Sequence, residues 1–131
     1  MKKVLIFLIL AFISTTTMAE WTKVREHDGN SGYTIYADLD TLRKVSNKAK
    51  MWVLLDYQNE QKASGTFFSS KKIRRQYDCV DSYMRVLAFK LYSRNMGRGE
   101  LIRSYPQPQK WQRVIPNNID QLEWEVACNN E

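Results

Sequence analysis

Two strand-like stretches, residues 66–79 and 82–93, follow one another with only Val80-Asp81 between them. Both are rich in aromatic and β-branched residues, and neither contains glycine or proline, which is strand composition. A parallel return would need a crossover of about a dozen residues or more, so so short a link leaves only an antiparallel hairpin. A tight turn at 80–81 sets Cys79 opposite Ser82, Tyr77 opposite Met84, Arg75 opposite Val86 and Ile73 opposite Ala88. Alternation then sorts the side chains by face. One face collects Ile73, Tyr77, Cys79, Met84, Val86 and Ala88, a core composition. The other collects Lys72, Arg74, Gln76, Arg85, Leu87, Phe89 and Leu91, half basic and half apolar, the mixture of a partner-facing surface.

The same signature recurs on both sides of this hairpin. "WTKVRE" reads as a first strand, "HDGNSG" as a turn, and "YTIYAD" as a second strand. "LDTLRKV" suits a helical turn and "SNK" a loop. "KMWVLLDY" is a continuous apolar run, too short for a buried helix, and is predicted as a central strand followed by the polar connection "QNEQKASG". Beyond the hairpin come the glycine turn "NMGRGE", the strand "ELIRSY", the break "PQPQ" and a last short strand "KWQRVI". After Pro116 the period changes: "NNIDQLEWEVACNN" predicts a helix capped by Asn117 or Asn118, with Ile119, Leu122 and Val126 on its inward stripe. Trp124 falls off that stripe, against a loop. The fold class is therefore α+β: an antiparallel sheet of about six strands with a C-terminal helix packed on one face.

The N-terminus carries two lysines, an apolar run from Val4 to Ile13, and then Thr17-Met18-Ala19. This pattern predicts a signal peptide, residues 1–19, cleaved after Ala19. The run is short for a bilayer span, and position 20 is Glu rather than the Cys that lipid anchoring requires. The expected mature chain, 20–131, is a single domain that is secreted or periplasmic, with no transmembrane segment and no lipid anchor. Its two cysteines, Cys79 and Cys128, are an even pair in an oxidising compartment and are expected to form one disulfide joining helix to sheet. With no CxxC and a lone histidine, a zinc site lacks ligands.

No glycine-rich phosphate loop, nucleophile elbow or paired metal-binding histidines occur, so no catalytic residue, cofactor or metal is assigned. His27 beside Asp28 reads as a turn residue, and Asp38, Asp40 and Asp56 are the carboxylates a fold would have to converge for acid–base work. Charge is more informative. Residues 71–113 hold eleven Lys/Arg against three Asp/Glu, whereas 114–131 hold no cation and four acids. The middle strands are thus basic and the final helix acidic, which suits the former to an anionic envelope or matrix ligand, or else leaves helix and strands to complement one another or to form a solvated face. Nucleic acid is disfavoured by compartment.

The order "GYTIYADLDTLRK", "AKMWVLLDY", "SSKKIRRQYDC", "RVLAFKLYSRNMGRGELI", then Trp111 to Pro116 and a helix ending in Cys128, resembles the surface-adhesin E family of Gram-negative bacteria over nearly the whole mature chain. The resemblance implies a mainly antiparallel sheet with a disulfide-tethered helix, Cys79 and Cys128 matching the family's bridge. It also implies a homodimer and, for function, non-enzymatic binding of host extracellular-matrix or serum proteins. The candidate partner surface is Lys72, Arg74, Arg85, Leu87, Phe89 and Leu91. The alternative is a periplasmic structural or envelope-stress protein contacting another envelope component.

Overall fold

The structure is a computed structural model that describes residues 20–26 and 32–129. The expected signal peptide, residues 1–19, and the segment around His27 that the sequence predicts as a turn lie outside the described residues. Seven strands form one antiparallel sheet: β1 (Thr22–Glu26), β2 (Tyr33–Val45), β3 (Lys48–Ala63), β4 (Thr66–Asp78), β5 (Tyr83–Tyr92), β6 (Leu101–Tyr105) and β7 (Gln112–Arg113). Strands β1 to β6 are neighbours in chain order, and β7 pairs with the free edge at the start of β5. One helix, α1 (Ile119–Asn129), follows. The predicted α+β arrangement is what the chain adopts.

Two segments expected outside the sheet belong to it. "LDTLRKV" continues β2 beyond an irregularity between Asp38 and Arg43. There the Thr41 hydroxyl donates to the Asp38 carbonyl (2.7 Å) and accepts the Trp52 N–H (3.0 Å), standing in for a missing backbone rung. "QNEQKASG" extends β3 to Ala63, and the connection shrinks to Ser64-Gly65, both with positive φ. Such a pair makes the tight hairpin turn that matches strand twist. Those strand ends project beyond the core, so their polarity is that of a ribbon wet on both sides, not of a loop.

The β4–β5 hairpin holds the predicted register at Tyr77↔Met84 and Arg75↔Val86 and then departs from it. A β-bulge inserts Leu87, so Arg74 faces Ala88, Ile73 faces Phe89 and Lys71 faces Leu91. One extra residue reverses the side of everything beyond it. Phe89 and Leu91 therefore lie on the helix-side face with Ile73, not beside Lys72 and Arg74. Leu91 is buried, and the Phe89 ring stacks on Tyr105 at 4.5 Å while the Lys71 ammonium sits 4.3 Å from its centroid. Burial lowers the Lys71 pKa. "KWQRVI" contributes only two paired residues, but Val114 donates its N–H to Ser82 O and is buried in the core.

The core lies between α1 and the inward face of β2 to β5, with Ile35, Ala37, Met51, Val53, Ile73 and Tyr77 at its centre. The helix begins where Asn118 Oδ1 accepts the Ile119 N–H and Gln121 Oε1 reaches back to the Asn117 N–H, satisfying amides the helix itself leaves unpaired. Its most buried positions are Ile119, Glu123 and Ala127, one turn apart, rather than the predicted Ile119, Leu122 and Val126. Glu123 is fully buried: Oε2 lies 2.8 Å from Arg75 Nε and accepts the Tyr77 hydroxyl at 2.8 Å. The far end is held by the Cys79–Cys128 disulfide (Cα–Cα 5.6 Å), by Lys44 Nζ donating to the Cys128 carbonyl, and by the Trp124 indole donating to the Asp78 carbonyl. Trp124 thus meets the hairpin end, as its place off the stripe suggested.

Candidate functional site

One helix covers only one face of a sheet, and α1 lies on the face that carries Met51, Ile73 and Tyr77. Alternation sends Lys48, Lys50, Trp52 and Leu54 of β3, and Lys72, Arg74 and Gln76 of β4, to the other face. They meet Arg43 and Asp38 from β2 and Arg85, Lys90 and Tyr92 from β5. Leu54 is fully buried between its register neighbours Tyr36 and Lys72 and forms the floor.

Three of the cations on this face, Lys72, Arg85 and Lys90, lie over aromatic rings. Lys72 Nζ stands 4.9 Å from the Tyr92 ring and 5.9 Å from Trp21; Lys90 Nζ is 5.6 Å from Trp52. The Arg85 guanidinium lies 4.6 Å from Trp111, and its Nε donates to Gln76 Oε1 at 2.9 Å. Such cation–π contacts fix an ammonium or guanidinium without neutralising it. Among the described residues no carboxylate comes within ion-pair distance of any of these cations; the two ion pairs present are Lys23–Glu26 and Arg75–Glu123. Burial and, next, the neighbouring Lys90 lower the Lys72 pKa, while burial raises that of Asp38.

Lys72 is also positioned from above. A 3-10 turn, Asn95–Gly97, crosses this end of the sheet, where Asp56 accepts from the Asn95 side chain and the Met96 N–H, and Ser70 Oγ accepts the Gly97 N–H. Gly97 has positive φ, and a Cβ there would run into the Lys72 side-chain carbons. Glycine serves both needs.

Of the six residues predicted as a partner surface, Lys72, Arg74 and Arg85 share this open face, Leu87 occupies the bulge, and Phe89 and Leu91 are on the opposite side. Sequence reasoning missed Trp52, Lys90, Tyr92 and Trp21. The signal for Trp52 was present in "KMWVLLDY", whose even positions include Lys50 and Trp52, but an unbroken apolar run reads as buried on both faces. Asp38 caps its own bulge by accepting the Asp40 N–H, Asp56 anchors the 3-10 turn, and Asp40 is exposed; no catalytic pair is assembled from them. Among the described residues no cluster of three or more His, Cys, Asp or Glu side chains is placed to hold a metal, and no helix is long and apolar enough to cross a membrane.

Sheet, helix and staple together define a class: a small antiparallel domain closed by a disulfide-tethered helix on one face and open, basic and aromatic on the other. Residues 21–129 match the surface-adhesin protein E family, and the chain belongs to that family of adhesin-like surface proteins. Three solved structures carry the same fold. Crystal form II of Haemophilus influenzae protein E is 14% identical, with a TM-score of 0.59 over 82% of this chain and 96% of that one. The selenomethionine form is 15% identical, with a TM-score of 0.58 over 83% and 95%. Protein E from non-typeable Haemophilus influenzae is 15% identical, with a TM-score of 0.55 over 86% of each chain. At such identities the likeness is one of fold. No curated protein matches the sequence.

Proposed function

We propose that this chain is exported by cleavage after Ala19 and acts as a non-enzymatic binding module, engaging host extracellular-matrix or serum proteins through the open face of its sheet. The observation that carries the reading is the face itself. Lys72, Arg74, Arg85 and Lys90 stand on it beside Trp52 and Tyr92, with no acidic side chain of the described chain pairing them. Cations that are held in place without forming ion pairs are complementary to an acidic partner and steer its approach. Family membership supports adhesion as the use to which such a face is put.

The homodimer is an expectation of the family resemblance, and Phe89 and Leu91 are the apolar residues expected beside the cations. Those residues face the other way, and the open face is proposed for a heterologous ligand.

The test is binding of oxidised protein 20–131 to immobilised matrix and serum proteins, with Lys72→Glu, Arg74→Glu and Lys90→Glu combined. Affinity is expected to fall by about tenfold or more, the scale of losing a central contact cluster, and to weaken with salt in the parent protein. Unchanged binding by a folded triple variant would remove the open face from the reading. Capture of a bacterial envelope component alone, by cross-linking in cells, would instead favour the envelope-protein alternative.

A further inference from the structure

The open face carries two like-charge pairs directly across strands, Lys72 opposite Lys90 and Arg43 opposite Lys50. Like charges so placed destabilise a sheet, and no acidic residue within ion-pair distance offsets either pair among the described residues. An anion bound between them would.

Three shallow clefts follow one another along this face. The first, of about 210 Å³, is lined by Trp21, Asp38, Trp52, Lys72, Lys90 and Tyr92. The second shares Trp52 with it and adds Arg43, Lys50 and Arg74, with the Asp40 carboxylate at its side; the third shares those three cations and runs on to Lys48. From the row of Leu54 to that of Lys48 is six residues of strand, about 20 Å at strand rise. A track of that length with repeated cations fits a linear polyanion better than a single small anion.

The chemistry of the track selects among polyanions. The strands beneath it are paired on both sides, so an extended peptide finds no sheet edge to join and must be held by side chains alone. The Trp21, Trp52 and Tyr92 rings offer flat apolar surfaces at ring size, and the Asp38 carboxylate in the same cleft accepts hydrogen bonds and repels any anion set against it, so the ligand must offer a hydroxyl donor there. A sugar ring meets all three demands: an apolar C–H face for the aromatic rings, hydroxyl donors for Asp38, and anionic substituents for the lysines and arginines.

Resting on the reading of this face as the binding surface, we infer that its ligand is a sulfated linear polysaccharide, lying across β2 to β5 with sugar rings against Trp52 and Tyr92 and sulfates between Lys72 and Lys90 and between Arg43 and Lys50. A matrix protein would then be recognised through its glycan chains.

The experiment titrates oxidised protein 20–131 with four probes by calorimetry: a heparin oligosaccharide, the same backbone without sulfate, polyphosphate of matched charge, and poly-glutamate. The sulfated sugar is expected to bind about tenfold or more tightly than each of the others, and Lys72→Gln/Lys90→Gln to lose about tenfold of it. Trp52→Ala tests the ring contact, lowering affinity while leaving the salt dependence intact. Should that variant misfold, Arg43→Gln/Lys50→Gln, on exposed positions, tests the far end of the track by the same loss. Equal binding of polyphosphate or poly-glutamate would overturn the glycan assignment, as would unaltered affinity in the lysine variant. Matrix-protein binding that survives enzymatic removal of the glycans yet is lost in Lys72→Gln/Lys90→Gln would overturn this inference and leave the proposed function standing. Matrix binding that ignores the lysine variant would remove both.

Discussion

The contact between Arg75, Tyr77 and Glu123 joins the helix to the sheet through a charge buried where apolar side chains would be expected. Arg75 sits in the run "KKIRR" that reads as surface charge, yet alternation places it with Ile73 and Tyr77, on the inward side. Glu123 hides equally well, since an acid on a C-terminal helix is by default solvated. Its position is explained only by the actual stripe, four residues from Ile119 and four from Ala127. Such a pair adds little net stability against an apolar substitute, but it penalises any helix rotation that would strand one charge. Burial pushes the Glu123 carboxyl above its ordinary value of 4.5, and Arg75 and the Tyr77 hydroxyl pull it only part of the way back. A carboxyl raised in the native state supports folding while protonated, below 4.5, and withdraws that support as pH rises through its native value. Relative to Glu123→Gln, the wild-type unfolding free energy should therefore decline as pH rises from 4.5; a difference flat with pH in urea titrations would contradict this. Glu123→Ala, which leaves Arg75 buried without its anion, is expected to cost about 3–5 kcal/mol.

At the level of elements, the disulfide and the bulge have the largest consequences. The bridge spans 49 residues. In the chain-entropy account it raises the free energy of the unfolded state by about 4 kcal/mol, a large share of the stability of a domain this size. Cys79→Ser/Cys128→Ser should lower the unfolding free energy by roughly that amount, and reductant should expose α1 amides to hydrogen exchange before those of β3 and β4. Simultaneous loss of protection in helix and sheet would show that the staple acts on the whole fold instead. The pairing of the cysteines was readable from their number, two, and the β4–β5 hairpin from its short link. The bulge at Leu87 was not: nothing local in "RVLAFKLY" marks the extra residue, and register beyond it is settled by the fit of Phe89 and Leu91 against the inward face. The polar end of β3 was missed for the converse reason, because a strand that outruns its core no longer alternates.

Seen whole, the described residues form a single sheet with one helix, which lies on one face and leaves the other open. The charge of that open side is a product of which residues alternate outward. The mature protein recovered after export should have the intact mass of residues 20–131 less two hydrogens; a mass retaining the leader, or two free thiols, would contradict export with cleavage and oxidation at that site. By itself, the sequence determined antiparallel pairing, because a link of a few residues permits nothing else. It likewise determined the cysteine partners, because the chain contains only two, and the terminal helix, because the apolar period changes after Pro116. Only the tertiary structure decided which cations stand on the open face, that Trp52 and Tyr92 accompany them, and that Arg75 and Glu123 are buried together. Each of these depends on register and on residues distant along the chain, and in a sheet a slip of one residue exchanges the two faces.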